Sequence, residues 1–225
     1  MDYRILGETL PAVEVKLQAG ESMYTQSGGM AWMSDGLTLE SNVRGGLMKG
    51  LGRMFSGESL FMATYTASKP DCLIAFASTV PGKILPVDLS RTSLICQKGA
   101  FLCAQPSVEL STVFTKKFSA GFFGGEGFIL QQMQGSGMAF LEVDGDVVEK
   151  TLAPGEVIKV DTGNVFAFEP SVSYEIETIK GVKNMLFGGE GLFLTKLTGP
   201  GKIYMQTMNI AEFTGRIAQG LPASK

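Results

Sequence analysis

Histidine is missing from all 225 residues, which removes the side chain most often used as a general base at neutral pH and the commonest metal ligand. Cysteine is scarce. Cys72, Cys96 and Cys103 are odd in number and lack the paired spacing of a zinc knuckle, so the expectation is buried thiols in apolar strands. Charge is thin as well: 18% of the residues are charged, with a net charge of −3 and a pI near 5.2, and Lys and Arg are nowhere densely clustered. An electrostatic grip on phosphate backbones needs such clusters, so nucleic acid is set aside as a partner. No uninterrupted apolar run approaches the roughly 18 residues of a membrane-spanning helix. The opening Met1-Asp2-Tyr3-Arg4 does not read as a secretory leader, and the cytoplasm is the expected compartment.

What is present is glycine, 29 residues of it, within a chain that is 44% hydrophobic. That composition folds rather than staying disordered. Val, Ile, Phe and Tyr alternate with polar residues between Gly and Pro turns, the mark of an all-β sandwich or barrel with little helix. Much of the glycine sits in one recurring phrase. Phe122-Phe123-Gly124-Gly125-Glu126-Gly127-Phe128 returns 64 residues later as Leu186-Phe187-Gly188-Gly189-Glu190-Gly191-Leu192-Phe193. A looser copy, Phe55-Ser56-Gly57-Glu58-Ser59-Leu60-Phe61, precedes the middle one by 68 residues, counted from Glu58 to Glu126. A near-constant period of this kind indicates a triplicated chain.

The register extends beyond the phrase. Gly135-Ser136-Gly137 matches Gly199-Pro200-Gly201 at the same 64-residue offset, and an alternating strand follows each. A fainter repeat relates Ala153-Pro154-Gly155-Glu156 to Gln18-Ala19-Gly20-Glu21, with Lys98-Gly99-Ala100-Phe101 read as a third, degenerate copy. The fold expected is three tandem β-sandwich or short double-stranded β-helix units about a pseudo-threefold axis. Their bounds are 1–90, with a Gly- and Met-rich insertion at 42–55, then 91–152 and 153–214, followed by a frayed polar tail at 215–225. The N-terminal strand is expected to close the array by pairing with Lys202 to Ile210. Trp32, the only tryptophan, is expected to be a core anchor with its indole N–H bonded locally.

Two groups of residues are candidates for function. Glu58, Glu126 and Glu190 lie in Gly-flanked bends, where a carboxylate accepts exposed backbone N–H groups. About a threefold axis the same carboxylates would converge on a cation or on a cationic group of a ligand. Nothing nearby is an obvious nucleophile, and no helix or Lys follows to make a phosphate loop. In the insertion, Arg44, Lys49 and Arg53 alternate with Leu47, Met48, Leu51 and Met54 at the spacing of a short helix face. That pattern suits either packing on the first unit or adaptive contact with a partner or an acidic membrane surface.

Several strings together, GGEGF, GGEGLF, APGEVIKVDTGNVFAFEPSVSYEI and YTQSGGMAWMSD, resemble the family called altered inheritance of mitochondria, number twenty-four, over Met1 to about Thr214. This is a group of bacterial and archaeal proteins with a mitochondrial branch. The resemblance implies three tandem domains of the fold seen in the tryptophan RNA-binding attenuator protein, and it carries over no catalytic residue. It also implies a link, in mitochondrial members, to inner-membrane organisation, although an Arg-rich presequence is absent here. RNA binding is not inherited from a fold name.

The reading that results is a non-enzymatic β-rich scaffold or interaction protein, with a protein partner or self-association as homo-oligomer and no cofactor. A ligand- or cation-binding protein using Glu58, Glu126 and Glu190 comes second and a peripheral membrane protein third. An enzyme comes last.

Overall fold

Alternating sequence becomes strand almost throughout. The computed structural model describes residues 1–26, 28–43, 61–116, 127–179 and 192–220. In chain order the strands begin with β1 (Asp2–Leu6), β2 (Ala12–Leu17), β3 (Ser22–Gln26), β4 (Met30–Met33), β5 (Leu37–Val43), β6 (Phe61–Ala67) and β7 (Cys72–Ala77). They continue with β8 (Gly82–Asp88), β9 (Leu94–Gln97), β10 (Phe101–Ala104), β11 (Val108–Lys116), β12 (Phe128–Gly135) and β13 (Met138–Asp144). The last series is β14 (Val147–Leu152), β15 (Val157–Asp161), β16 (Val165–Phe168), β17 (Ser173–Ile179), β18 (Leu192–Thr198), β19 (Gly201–Gln206) and the helix α1 (Ile210–Gln219).

The chain forms two compact units. The first comprises Met1–Ser93, Gly99–Leu110 and Met133–Val143, and the second Leu94–Lys98, Ser111–Gln132 and Asp144–Lys225. In the first unit a four-stranded sheet, β1-β2-β7-β4, shares a core with a six-stranded sheet, β5-β6-β3-β10-β13-β8. Val13, Val15 and Leu17 of β2 and Ile74 and Phe76 of β7 meet Met23, Tyr65, Leu102 and Phe140 there, all at 5% exposure or less. The second unit holds the six-stranded sheet β11-β12-β9-β16-β19-β14 and the three-stranded sheet β15-β18-β17. Its core joins Phe128, Leu130, Phe168 and Ile203 of the larger sheet to Val160 and Leu197 of the smaller. Burying a side chain of this size contributes about 1.5–3 kcal/mol, so each sheet pair is held by the apolar faces that the alternation creates.

The glycine turns read from the sequence are formed. Gly135 and Gly137 (φ +119° and +142°) connect β12 to β13, and Gly201 (φ +142°) opens β19 after β18. At Gly135 a Cβ would collide with the Ser107 carbonyl, so space as well as backbone angle requires glycine.

Three expectations are corrected. The N-terminal strands do not reach Lys202–Ile210: β1 pairs with β2 in register Asp2↔Lys16 to Leu6↔Ala12, and β2 pairs with β7, while β19 lies between β14 and β16. Lys98-Gly99-Ala100 is a 3-10 turn between β9 and β10, in the position that Thr162–Asn164 takes between β15 and β16, and so is no copy of the Gly155-Glu156 turn. Residues 215–219 of the expected frayed tail instead form the second half of α1, whose cap Asn209 accepts from the Ala211 and Glu212 N–H groups. Ile210, Phe213 and Ile217 fall at helical spacing behind that cap, a signal present in the sequence.

The two kinds of glycine separate in a substitution test. Gly155 has φ +77° with open space around its Cβ position, so Gly155→Ala is expected to cost about 1–2 kcal/mol from left-handed strain alone. Gly135→Ala adds the collision with Ser107, and urea denaturation is expected to show a loss of about 3 kcal/mol or more.

Candidate functional site

The residues singled out in the sequence, Glu58, Glu126 and Glu190 with Arg44, Leu47, Met48, Lys49, Leu51, Arg53 and Met54, lie outside the described residues. The strands on either side of them are described. The three phrases fall in the connections between β5 and β6, β11 and β12, and β17 and β18, and each of these pairs is adjacent in its sheet.

The related Gly-Glu turns are described, and there the carboxylate closes its own turn. Glu21 Oε2 accepts from the Gln18 N–H at 2.8 Å and Glu156 Oε2 from the Ala153 N–H at 2.9 Å. The preceding glycines donate across to β6 and to the β18–β19 turn, Gly20 to the Ala67 carbonyl at 2.7 Å and Gly155 to the Gly199 carbonyl at 3.2 Å. The Ala153 N–H bond, then the Lys150 ammonium, hold the Glu156 carboxyl below the usual carboxylate range. A glutamate engaged in this way is a bend-former.

On the four-stranded sheet of the first unit, one row of side chains runs from β1 through β2 and β7 to β4. Arg4 Nη2 sits 2.7 Å from Glu14 Oε1, and the Trp32 indole N–H donates to Glu14 Oε2 at 3.3 Å. Hydrogen bonds from Arg4 and then Trp32 hold the Glu14 carboxyl below its ordinary value although Glu14 is only 8% exposed. The expected local bond of Trp32 is therefore made, but the residue is not a core anchor: it is 45% exposed, because β4 is the outermost strand of its sheet. A depression of about 230 Å³ lined by Asp2, Tyr3, Arg4, Glu14, Lys16 and Leu73 lies on the same sheet.

β4 has two close counterparts. Its register against β7 shifts between Met30 and Trp32, so that Trp32 faces Ala75 and Met33 faces Ile74. β10 shifts in the same way against β13, between Phe101 and Cys103, and β16 against β19, between Val165 and Ala167. The other side of β10 is covered by β3 (Cys103↔Thr25, Ala104↔Tyr24), and that of β16 by β9 (Ala167↔Cys96, Phe168↔Ile95). All four residues of each of these strands are buried. β4 has no strand on its other side among the described residues, and Met33 is 42% exposed where Ala104 and Phe168 are at 0%. In the three-stranded sheet, β15 is outermost in the same sense: β18 covers one side, whereas β3 and β9 are covered on both.

A sequence profile described as "Mitochondrial biogenesis AIM24" matches residues 3–208. The chain belongs to that family. Within it, an uncharacterised protein of Streptococcus pyogenes serotype M6 (M6_Spy0233) is 31% identical over 222 residues, covering 95% of this chain and 88% of the relative. The crystal structure of the Streptococcus pyogenes protein SPYM3_0169 superposes with a TM-score of 0.78 at 27% identity, covering 98% of this chain and 99% of that one. The family assignment and the all-β fold read from the sequence are thus shown. Neither relative's name assigns a substrate or a reaction.

Other titratable groups of the fold are locked in place. Burial pushes the Cys96 thiol up to about 12 and the Cys103 thiol well above its usual value, which leaves them inert packing groups, and Cys72 is buried too. Glu142 is raised by burial although the Thr79 N–H and hydroxyl both donate to it. Among the described residues no cluster of three or more Cys, Asp or Glu side chains is arranged to hold a metal ion, and no helix is long and apolar enough to cross a membrane.

The Glu14 row has a measurable pH signature. A carboxyl held below its unfolded value adds stability above the ordinary carboxylate pKa of about 4, and that stability disappears as the pH falls through the lowered folded value. Arg4→Ala is expected to cost about 1 kcal/mol at pH 7, since the Arg4 side chain is open to solvent screening. In urea titrations the gap to wild type should close as the pH is taken below about 4. A gap independent of pH would place the effect in packing instead.

Proposed function

We propose that the protein is a non-enzymatic β-scaffold of the cytoplasm, built from three copies of one six-strand unit, that works by binding protein chains, its own among them. The observation that carries this reading is the thrice-occurring bulged strand, covered on both sides as β10 and β16 and, among the described residues, paired on one side alone as β4. Bare strand edges present unpaired N–H and C=O groups to other chains. The six-strand units would run from β2 to β7, β8 to β13 and β14 to β19, with β1 added in front. The 64-residue spacing of the Gly-Glu phrases and the like geometry of the Gly20-Glu21 and Gly155-Glu156 turns support that division. A chain without histidine, in which burial raises the Cys96 and Cys103 thiols, also fits binding better than catalysis.

Native mass spectrometry of the untagged protein tests the reading. Assemblies above the 24.0 kDa of the chain, carrying no additional small mass, are the expected result. Bare monomers across the micromolar range would overturn self-association. A non-covalent mass excess that vanishes in the Glu58→Gln, Glu126→Gln, Glu190→Gln variant would replace the scaffold with a ligand-binding protein.

A further inference from the structure

Resting on the self-association just proposed, we infer that β1 pairs antiparallel with β1 of a second copy about a twofold axis at Tyr3, with Asp2 opposite Arg4 of the partner subunit. The two four-stranded sheets would then form one sheet, β4-β7-β2-β1 from one chain followed by β1-β2-β7-β4 from the other.

β1 is the outer strand of its sheet, held on one side by β2 from Asp2↔Lys16 to Leu6↔Ala12, and among the described residues no strand lies on its other side. Its two faces differ. Tyr3 and Ile5 stand beside Val15 and Val13 on the face toward the core, where the Tyr3 ring meets Phe140 edge-on at 4.9 Å. Val13 and Val15 are at 0% exposure, yet Tyr3 is 37% and Ile5 41% exposed, and Met1, next in that alternation, is 47% exposed. A further strand is what would cover them. Asp2 and Arg4 stand on the opposite face, beside Lys16 and Glu14.

Charge on an outer strand normally keeps other strands away, so the signs and the register decide. Residues directly opposite in an antiparallel pair lie on one face of the sheet. An axis between two residues of β1 would therefore set the charged face of one strand beside the apolar face of the other. An axis at Asp2 or at Arg4 sets that residue against its own copy, and like charges directly opposite are destabilising. An axis at Tyr3 sets Asp2 against the partner's Arg4, and by symmetry Arg4 against the partner's Asp2. Met1 then meets the partner's Ile5, and Tyr3 meets the partner's Tyr3.

In that register the outer face carries a row of alternating sign across both chains: Glu14, Arg4, the partner's Asp2 and the partner's Lys16. Arg4 has donors for a second carboxylate. Its Nε and Nη2 both meet Glu14 Oε1, at 2.8 and 2.7 Å, and a guanidinium carries five N–H donors. The outer strand β17 shows the contrast, since Glu175 and Glu177 stand in the same relation as Asp2 and Arg4 but share one sign. The same pairing there would oppose like charges. β1 cannot pair with itself within one chain, so this self-complementary match requires a second copy, and it closes as a twofold dimer.

Tyr3→Cys tests this, since each chain then carries one new thiol and the native cysteines are buried. Residues directly opposite in an antiparallel pair have Cα atoms about 4.5–5.5 Å apart, within disulfide reach. Mild oxidation is expected to give a covalent dimer as the main product on non-reducing gels. Ile5→Cys is the control of similar exposure: Ile5 faces the partner's Met1, so the partner's Ile5 lies about 13 Å further along the strand and no cross-link is expected. Circular dichroism reports whether each variant folds. With no cysteine added, Asp2→Lys places a cation opposite the partner's Arg4 at two symmetric contacts, and analytical ultracentrifugation is expected to show dimer affinity at least about tenfold weaker than wild type. Wild-type multimers with no cross-link from folded Tyr3→Cys and no weakening by Asp2→Lys would overturn this edge while leaving self-association standing. Wild-type monomers across the micromolar range would overturn both, and cross-linking of Ile5→Cys as readily as Tyr3→Cys would overturn the register.

Discussion

A β-sheet has to stop, and where it stops its last row of peptide groups needs water, a covering element or another strand. That requirement organises this molecule more than any single side chain does. Its two six-stranded sheets stop at charged or proline-bearing strands, and one small sheet is finished by β1, laid on in register against β2. β4 ends its sheet with neither a charge nor a proline, and Trp32 and Met33 are both more than two-fifths exposed. Behind that edge, Ile74 and Phe76 of the adjacent β7 are fully buried.

The polar groups of the fold are committed to shape. Glu21 and Glu156 close their own turns, Glu14 ties three strands together, and Asn209 caps the helix while reaching Asp161. Groups satisfied in this way are poor candidates for acid–base work, because a proton transfer would cost the hydrogen bonds that fix them. The same commitment explains how glycine-rich sequence makes an ordered protein. The Gly20-Glu21 and Gly155-Glu156 turns are each backed by a side-chain and a cross-strand bond, so their conformational freedom is removed by local contacts and not by bulk burial.

Strand positions were largely legible in the sequence because they are set locally. The alternating strands expected after Gly135-Ser136-Gly137 and Gly199-Pro200-Gly201 are found as β13 and β19, since alternation and turn glycines are written side by side. Partners are a different matter. β10 joins β3 across 77 residues, counted from Thr25 to Leu102, whose carbonyl accepts from the Thr25 hydroxyl, and no short window carries that information. Trp32 was misplaced for the same reason: its strand looks as apolar as β10 and β16, and what differs is the neighbour it lacks. α1 was lost to the general polarity of the C-terminal residues, although Asn209 and the spacing of Ile210, Phe213 and Ile217 mark it.

All the strands of the sheet that ends at β4 lie within Asp2–Ala77, whereas β15 begins at Val157. At about 5–20 residues per second of synthesis, the ribosome needs about 4–16 s to cover that interval. Translation therefore completes the two smaller sheets in sequence order: every strand of the one that ends at β4 has been made before the first strand of the other is begun.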